Sequence, residues 1–465
     1  MTYDKLRDKL SRFGQEHVLR FWDELSDAQQ RQLESQIEEL DLAQLARLVD
    51  QQDTKEDFAS LAHRATSPPS VRADGSGAAW SQAEAIRRGD AALAAGQVAA
   101  VLVAGGQGTR LGFDQPKGMF PIGPVSGRTL FQFFADRLQA VGQHYGVPIP
   151  WYIMTSEATD AETRQYFQEN NYLGLDPAQI RIFKQGTMPA VDAESGKLLL
   201  ASKDSLALSP DGHGGTVRAL DRNGCLDDAE AQGIRYLAYF QVDNPLVNLC
   251  DPALIGHHLM AESEMTTEVI RKRYPSEKVG NVVLVDGRVR IIEYSDLPEE
   301  AAEATSEEGE LELWAGNIAV HVINVEFLRR VIRSDDSLPF HRALKKVPYV
   351  DQKGNRVEPT EPNAIKFEKF IFDLLPKAEN AFVVESRPSE AFAPVKNAEG
   401  APADTASLAR AAISDLHRRW LTDAGAVVAA EAKVEINPRF ALSPAQVAEK
   451  IPANLKVESD HYFDS

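Results

Sequence analysis

"VLVAGGQGTRLGFDQPKG", residues 101–118, places an apolar run directly before a turn that holds five glycines, one arginine and one lysine. Glycine lets a backbone bend sharply and lets its N–H groups approach a ligand with no Cβ in the way. A planar guanidinium and an ammonium point charge beside such a turn suit a polyphosphate. Two familiar glycine patterns fail here. The dinucleotide pattern G-x-G-x-x-G starts at Gly106 and Gly108 but meets Leu111 at its third position. The loop G-x-x-x-x-G-K-[ST] fails because Gly118 follows Lys117 and the spacing is wrong. The expectation is a phosphate cradle of another kind, shaped by Gly105, Gly106 and Gly108 and charged by Arg110 and Lys117. Glycines that merely make a turn would not need both cations.

Outward from this stretch, short apolar runs alternate with amphipathic helices. "VAAVLVA" (98–104) leads to "TLFQFFADRLQAVGQHYG", "PWYIMTS" to "EATDAETRQYFQENN", and "RYLAYFQVDN" to "DPALIGHHLMAES". Fully apolar strands separated by helices predict an α/β fold, with a mostly parallel sheet covered on both faces. In such sheets ligands sit at the carboxyl ends of strands, near a topological switch point. The glycine turn lies at such an end. Before it, Leu6, Leu10, Phe13, Val18, Leu19, Trp22, Leu33, Ile37, Leu40 and Leu45 recur at helical spacing and predict a small helical cap over Tyr3–Ala65. A polar loop, Ala65–Gly77, follows it. After Arg387 come a loop rich in Pro and Ala, a helix around "LARAAISDLHRRWLTDAG" and a short tail. The expected division is an N-terminal helical domain (1–90), a central α/β domain (91–390) and a small C-terminal domain (391–465). No internal repeat is apparent.

Composition narrows the partners. Lys and Arg number 50 against 69 Asp and Glu, a net charge of -19. Nucleic acids and anionic membranes reward a basic surface, so neither is expected as a partner. A polyanion would have to be met by a local basic pocket. The first residues are charged from Asp4 onward, with no apolar signal-peptide core, and no apolar stretch reaches membrane-spanning length. Cys225 and Cys250 are the only cysteines, too few for a disulfide framework or a cysteine zinc cage. A cytoplasmic location is the expectation. The ten histidines show no zinc-ligand spacing, and the adjacent His257 and His258 point to different parts of a helix surface.

"AGGQGTRLG" followed by "PKGM" resembles the signature loop of UTP-dependent sugar-1-phosphate uridylyltransferases, in particular the eukaryotic-type UDP-N-acetylhexosamine (UDP-sugar) pyrophosphorylases. Further segments match in order: "KQGTMPA" (184–190), "SPDGHGGTVRAL" (209–220), "QVDNPLV" (241–247), "KVGNVVLVDGRVRIIEYSDL" (278–297), "WAGNIAVHVINVEFL" (314–328), "VPYVD" (347–351), "PNAIKFEKFIFDLL" (362–375) and "FAPVKNAEG" (392–400). The resemblance implies a Rossmann-like, mostly parallel sheet of the nucleotide-sugar transferase type between smaller N- and C-terminal domains. It also implies a reaction in which a sugar 1-phosphate attacks the α-phosphorus of UTP and pyrophosphate leaves. Both reactants are anions, so catalysis would be positioning plus charge neutralisation.

Carried over by position, the resemblance makes Arg110, Lys117 and Lys396 the catalytic cations and gives Lys366 the UTP phosphates. Read without it, Lys366 and Lys369 look like a solvated helix face. Ala104, Gly105, Gln185 and Gly212 would read the uracil, and His213, Gly280, Glu293, Asn317 and Lys396 would face the sugar phosphate. Asp243, ending the apolar run "FQVD", suits Mg²⁺, with Mn²⁺ as a substitute. The alternative is an Asp that opens a turn with Asn244 and Pro245. At 212–215 the chain reads Gly-His-Gly-Gly where the acetylhexosamine branch usually has Gly-Asn-Gly-Gly, and histidine there is more typical of UDP-glucose and broad UDP-sugar pyrophosphorylases. Three functions follow: an N-acetylhexosamine 1-phosphate uridylyltransferase, the same chemistry on glucose or galactose 1-phosphate, and a catalytically silent nucleotide-sugar sensor. Oligomeric state is not legible in the sequence.

Overall fold

The computed structural model describes residues 3–50, 58–307, 309–334 and 338–464. Positions 51–57, inside the expected N-terminal helical stretch, lie outside the described residues. The chain forms two compact units, each assembled from separated segments.

The larger unit comprises Phe58–Lys184, Val217–Ser337 and Phe372–Ser465 within the described residues. Its centre is a ten-stranded sheet. In chain order the strands are β1 (Ser70–Val71), β2 (Val98–Val103), β3 (Trp151–Thr155), β4 (Ile180–Lys184) and β5 (Tyr236–Gln241). Then follow β6 (Met265–Arg271), β7 (Asn281–Val285), β8 (Arg288–Ile292), β9 (Ala315–Asn324) and β10 (Ala381–Ser386). Their spatial order is β1-β10-β6-β9-β5-β2-β3-β4, with the β7/β8 hairpin joined to β9. Every neighbouring pair along that path is parallel except the two made by β9. The mostly parallel α/β sheet read from the apolar runs is therefore present. All of "WYIMT" in β3 is buried, as a strand covered on both faces requires.

The alternating helices form where expected. Thr129 caps Leu130–Tyr145 with Gln132 in a reciprocal box, and Gly146 ends it in the left-handed region at φ 70°. Asp251 caps Pro252–Met260. That helix packs against Gln82–Ala94 through glycines on both sides. A β-carbon at Gly256 would lie 1.7 Å from the Ala85 carbonyl oxygen, and one at Gly89 would lie 1.9 Å from that of Pro252.

The chain runs from β2 to β3 and β4 on one side, then returns to place β5 on the other side of β2. β2 and β5 thus flank a switch point, where loops leaving the two strand ends diverge and open a crevice. The glycine turn follows β2, and Asp243 follows β5.

The smaller unit comprises Met1–Asp57, Gln185–Thr216 and Leu338–Ile371 within the described residues. Its helices Tyr3–Ser11, Asp27–Glu39 and Leu42–Asp50 do not stand alone as a cap. Leu6, Leu10, Leu33, Ile37 and Leu45 share one core with Val191, Leu198, Leu200, Ile365 and Phe367 from the later segments. This partition differs from the consecutive three-part division expected from sequence, because amphipathic periodicity shows that a face is buried but not what covers it. Residue 90 falls within the helix Gln82–Ala94, and the C-terminal segment belongs to the larger unit while keeping a small core of its own around Val434, Ile436 and Val447. The polar loop at 65–77 also differs from expectation, since it contains β1, paired with β10 at the sheet edge.

Gly256→Ala is expected to lower unfolding free energy by about 2–3 kcal/mol, because a backbone carbonyl occupies the added methyl's place and the helices must separate. Urea denaturation measures it, and wild-type stability would contradict the contact.

Candidate active site

The turn after β2 is a closed piece of backbone. Lys117 N–H donates to Gly106 C=O at 3.1 Å, and Gly108 N–H donates to Gln115 C=O at 2.9 Å. Leu111 N–H and Phe113 N–H both donate to Gly108 C=O, at 2.7 and 3.2 Å. Gly108 therefore differs from the cradle reading. Its N–H is used inside the loop, and a β-carbon there would meet Phe113 Cδ1 at 2.7 Å. It closes the turn. Gly118 is likewise fixed by packing, with the Phe131 ring 2.2 Å from where a β-carbon would be. A β-carbon on Gly106 would meet nothing within 4 Å. Ala104 N–H donates to Met154 C=O and Ser156 Oγ donates to Gly105 C=O, leaving Ala104 C=O and Gly105 N–H outside those two bonds.

Arg110 lies exposed on a single helical turn, Thr109–Leu111, and Lys117 is half-buried at the start of another, Lys117–Met119. The Lys117 ammonium is held below the ordinary lysine pKa, first by burial. Asp243 opposes that shift, and the nearby charges of Lys396 and Arg110 add to it. Lys396 Nζ stands 3.8 Å from Asp243 Oδ2. The structure thus gathers Arg110, Lys117, Asp243 and Lys396, distant in sequence, into one electrostatic cluster at the switch point.

A residue that sequence reasoning passed over makes this possible. Asn244 is buried, donates through Nδ2 to Ala391 C=O at 2.7 Å, and accepts Ala393 N–H at 3.1 Å. Val395 N–H donates to Asp243 C=O at 2.8 Å. These bonds bind the end of β5 to the segment that carries Lys396. The local signal, an Asn before Pro245, reads only as a turn.

Gly280, Glu293 and Asn317 also meet. Asn317 N–H donates to Gly280 C=O at 2.8 Å, and a β-carbon on Gly280 would lie 3.1 Å from Glu293 Oε1. Asn317 sits in a bulge of β9, where the pairing with β6 slips between Glu268 and Val269 and Ala319 takes φ 57°. Its Oδ1 accepts Ala319 N–H at 3.0 Å.

Gln185, Gly212, His213 and Lys366 belong to the smaller unit, which assembles them around the strand Ala364–Glu368. Asp211 N–H donates to Gly186 C=O, Lys369 N–H to Asp211 C=O, and Gly214 N–H to Lys369 C=O. Gly212 takes φ 82°, and a β-carbon there would meet the Lys369 oxygen at 2.4 Å and Glu368 Cβ at 3.1 Å. Lys366 alternates with buried Ile365 and Phe367, which puts it on the Glu368 face. His213 stacks on Phe370 at 5.3 Å, and its Nδ1 accepts Ile371 N–H at 3.2 Å.

His257 and His258 are ordinary buried histidines. Nδ1 of His257 accepts the Trp80 indole N–H at 2.9 Å, and His258 contacts Thr266 and Asn324 at 2.9 and 2.7 Å.

A mostly parallel sheet with a glycine turn and clustered cations at its switch point fits a nucleotidyltransferase of the α/β class. The chain belongs to the UTP–glucose-1-phosphate uridylyltransferase family, whose sequence model matches residues 69–447. It is 41% identical over 440 residues to UDP-N-acetylhexosamine pyrophosphorylase-like protein 1 of Xenopus tropicalis, covering 90% of this chain and 84% of that one. It is 38% identical to the UDP-N-acetylglucosamine pyrophosphorylase of Saccharomyces cerevisiae, covering 92% and 93%. The crystal structure of the Trypanosoma brucei uridine diphosphate N-acetylglucosamine pyrophosphorylase in complex with an inhibitor superposes with TM-score 0.80 at 25% identity, covering 98% of both chains.

Lys117→Ala is expected to lower turnover by about a hundredfold or more, the loss of one preorganised charge contact worth roughly 3–4 kcal/mol in the transition state. Arg110→Ala should act the same way, and near wild-type pyrophosphate release from either would remove the turn from the chemistry. Gly106→Ala should keep stability within about 0.5 kcal/mol of wild type. It should raise the UTP Michaelis constant roughly tenfold or more, since the methyl enters open space needed by a charged ligand's hydrogen bonds. An unchanged constant would show that no ligand approaches Gly106.

Proposed function

We propose that this protein transfers the uridylyl group of UTP to an N-acetylhexosamine 1-phosphate, of N-acetylglucosamine or N-acetylgalactosamine, releasing pyrophosphate. The observation that carries this is the convergence of Arg110, Lys117 and Lys396 around Asp243 beside the glycine turn. The pyrophosphorylase names of the relatives support the sugar. A phosphate oxygen of the sugar 1-phosphate attacks the α-phosphorus, and the bond from that phosphorus to the oxygen bridging to the β-phosphorus breaks. Pyrophosphate leaves with the bonding electrons. A phosphate monoester carries nearly two charges at neutral pH, so its oxygen needs no general base. The protein's work is to bring two anions together and to neutralise the charge that builds on the leaving group.

In this reading, within the larger unit, Arg110 and Lys117 hold the UTP phosphates and Lys396 takes the sugar phosphate. Ala104 and Gly105 read the uracil, and Gly280, Glu293 and Asn317 contact the sugar, Glu293 as acceptor. The residues fit a hard divalent cation that brings most of its own ligands. Among the described residues no three His, Cys, Asp or Glu side chains gather as a metal cage, and Asp243 supplies one carboxylate at the strand end. Bound there, Mg²⁺ would add positive charge at the phosphates. Among the described residues no helix is long and apolar enough to cross a membrane, and we place the activity in the cytoplasm.

His213 favours a second reading, in which glucose or galactose 1-phosphate is the acceptor. The deciding experiment is pyrophosphate release from UTP with four sugar phosphates, N-acetylglucosamine, N-acetylgalactosamine, glucose and galactose 1-phosphate. We expect kcat/KM for an N-acetylhexosamine to exceed both hexoses by roughly tenfold or more, the scale of one pocket contact. The reverse order would establish the second reading. Chelator should abolish activity and Mg²⁺ or Mn²⁺ restore it, while Asp243→Asn should lose most activity at any metal concentration. Full turnover in excess chelator would remove the metal from the proposal.

A further inference from the structure

Uridylyl transfer as proposed above needs Lys117 and Lys396 at a fixed separation, although their loops are far apart in the chain. The structure shows what each loop leans on. Phe120 N–H donates to Lys117 C=O at 2.9 Å, so the Lys117–Met119 turn runs directly into Phe120 and Pro121. Phe120 meets Phe113 edge-on at 5.4 Å between ring centres, and Phe113 fills the space beside Gly108. Pressure on Phe120 therefore reaches the whole turn.

The Lys396 loop is closed at its base. Lys396 and Asn397 N–H groups both donate to Asp404 C=O, at 2.8 and 3.0 Å, with Asp404 held at φ 59°. Farther out, the Glu399 carboxylate accepts the Ser407 N–H at 2.9 Å and its hydroxyl at 2.6 Å. Ser407 lies in the first turn of the helix Ala406–Asp423, which Thr405 caps through Leu408 N–H.

Arg410 lies about one turn further along that helix, half-buried between the two loops. Its Nη2 donates to Pro121 C=O at 2.7 Å, and its guanidinium stands 5.8 Å from the centre of the Phe120 ring. Its charge also reaches Glu399, whose carboxyl is held below the ordinary value first by the Ser407 hydroxyl, then by Ser407 N–H and Arg410. The same side chain thus touches the end of the Lys117 turn and sits on the helix that anchors the Lys396 loop.

We propose that Arg410 is a positioning residue for uridylyl transfer: it clamps the turn carrying Lys117 to the helix anchoring the Lys396 loop, and so sets the spacing of the two lysines. Arg410 touches neither reacting group and acts through Lys117. A lysine at 410 could still donate to Pro121 but lacks the flat face that lies against Phe120.

The test separates positioning from simple stabilisation of the helix. Arg410→Ala should lower kcat roughly tenfold to a hundredfold, the cost of a misplacement of about an ångström. UTP affinity, measured by equilibrium titration, and the thermal midpoint should stay near wild type. In a Lys117→Ala background the same change should lower kcat by less than about twofold, because the group it positions is gone. Arg410→Lys should fall between wild type and Arg410→Ala, and it carries the same comparison if Arg410→Ala does not fold. Wild-type kcat in Arg410→Ala, or in Arg410→Lys should that be the variant that folds, overturns the proposal. So does an equal loss in both backgrounds, or a loss of kcat matched by the loss of folded protein. Wild-type protein that releases no pyrophosphate refutes the uridylyltransferase reading and this proposal with it. Active wild type with an unaffected Arg410→Ala refutes the positioning role alone.

Discussion

Three cations held around one carboxylate govern this active site. Lys117, Lys396 and Arg110 repel one another wherever no polyanion lies among them, and Asp243 is the carboxylate that opposes the shift on Lys117. Such a cluster stays assembled only if the backbone beneath it is stiff. The turn at 106–117 is closed by its own hydrogen bonds, and the Lys396 segment is tied through Asp243, Asn244 and Asp404. In the proposed reading a polyphosphate entering there relieves the crowding that Lys396 and Arg110 impose on Lys117. Groups already in place for the charge of the transition state need no reorganisation when it forms.

The switch point of the sheet explains why the cluster forms there. β2 and β5 are neighbours, and their following loops turn apart. The glycine turn and Asp243 are thereby brought side by side from distant parts of the chain. β9, the antiparallel member of the path, adds the second element. Its bulge follows Asn317, which stays paired with Val269 and donates its N–H to Gly280 C=O, while Ile318 and Ala319 are the extra residues before the pairing resumes at Val320.

Much of this was legible in sequence because the relevant signals are local. Apolar runs such as "VAAVLVA" and "WYIMT" mark covered strands, and caps such as Thr129 and Asp251 mark helix starts. The glycine turn with Arg110 and Lys117 announced itself through composition. What stayed hidden depends on pairing across the chain. β1 has only Ser70 and Val71, too short for any periodicity, and is a strand because β10 offers an edge. The β7/β8 hairpin carried a signal that went unread, Asp286-Gly287 between "NVVLV" and "RVRII", both in the left-handed region at φ 50° and 75°. The bulge at Asn317, the brace at Asn244 and the clamp at Arg410 leave no local trace, since each is defined by a partner more than sixty residues away or by a slipped register.

The glycines of the opening turn show how folding and binding share one short stretch. Gly108 and Gly118 are glycine because Phe113 and Phe131 stand where side chains would go. Gly112 is glycine because it ends the Thr109–Leu111 turn in the left-handed region at φ 70°. These three would be demanded by the fold with no ligand at all. Gly106 is different, for its φ is not in the left-handed region and open space surrounds its missing Cβ. No feature of the chain's own packing forbids alanine there. In the proposed reading the bare backbone at Gly106 serves the charged oxygens of a ligand. A glycine-rich motif thus compresses two kinds of constraint into one letter. The sequence can mark the loop, but only the surroundings of each residue tell the glycines that the fold demands from one that it does not.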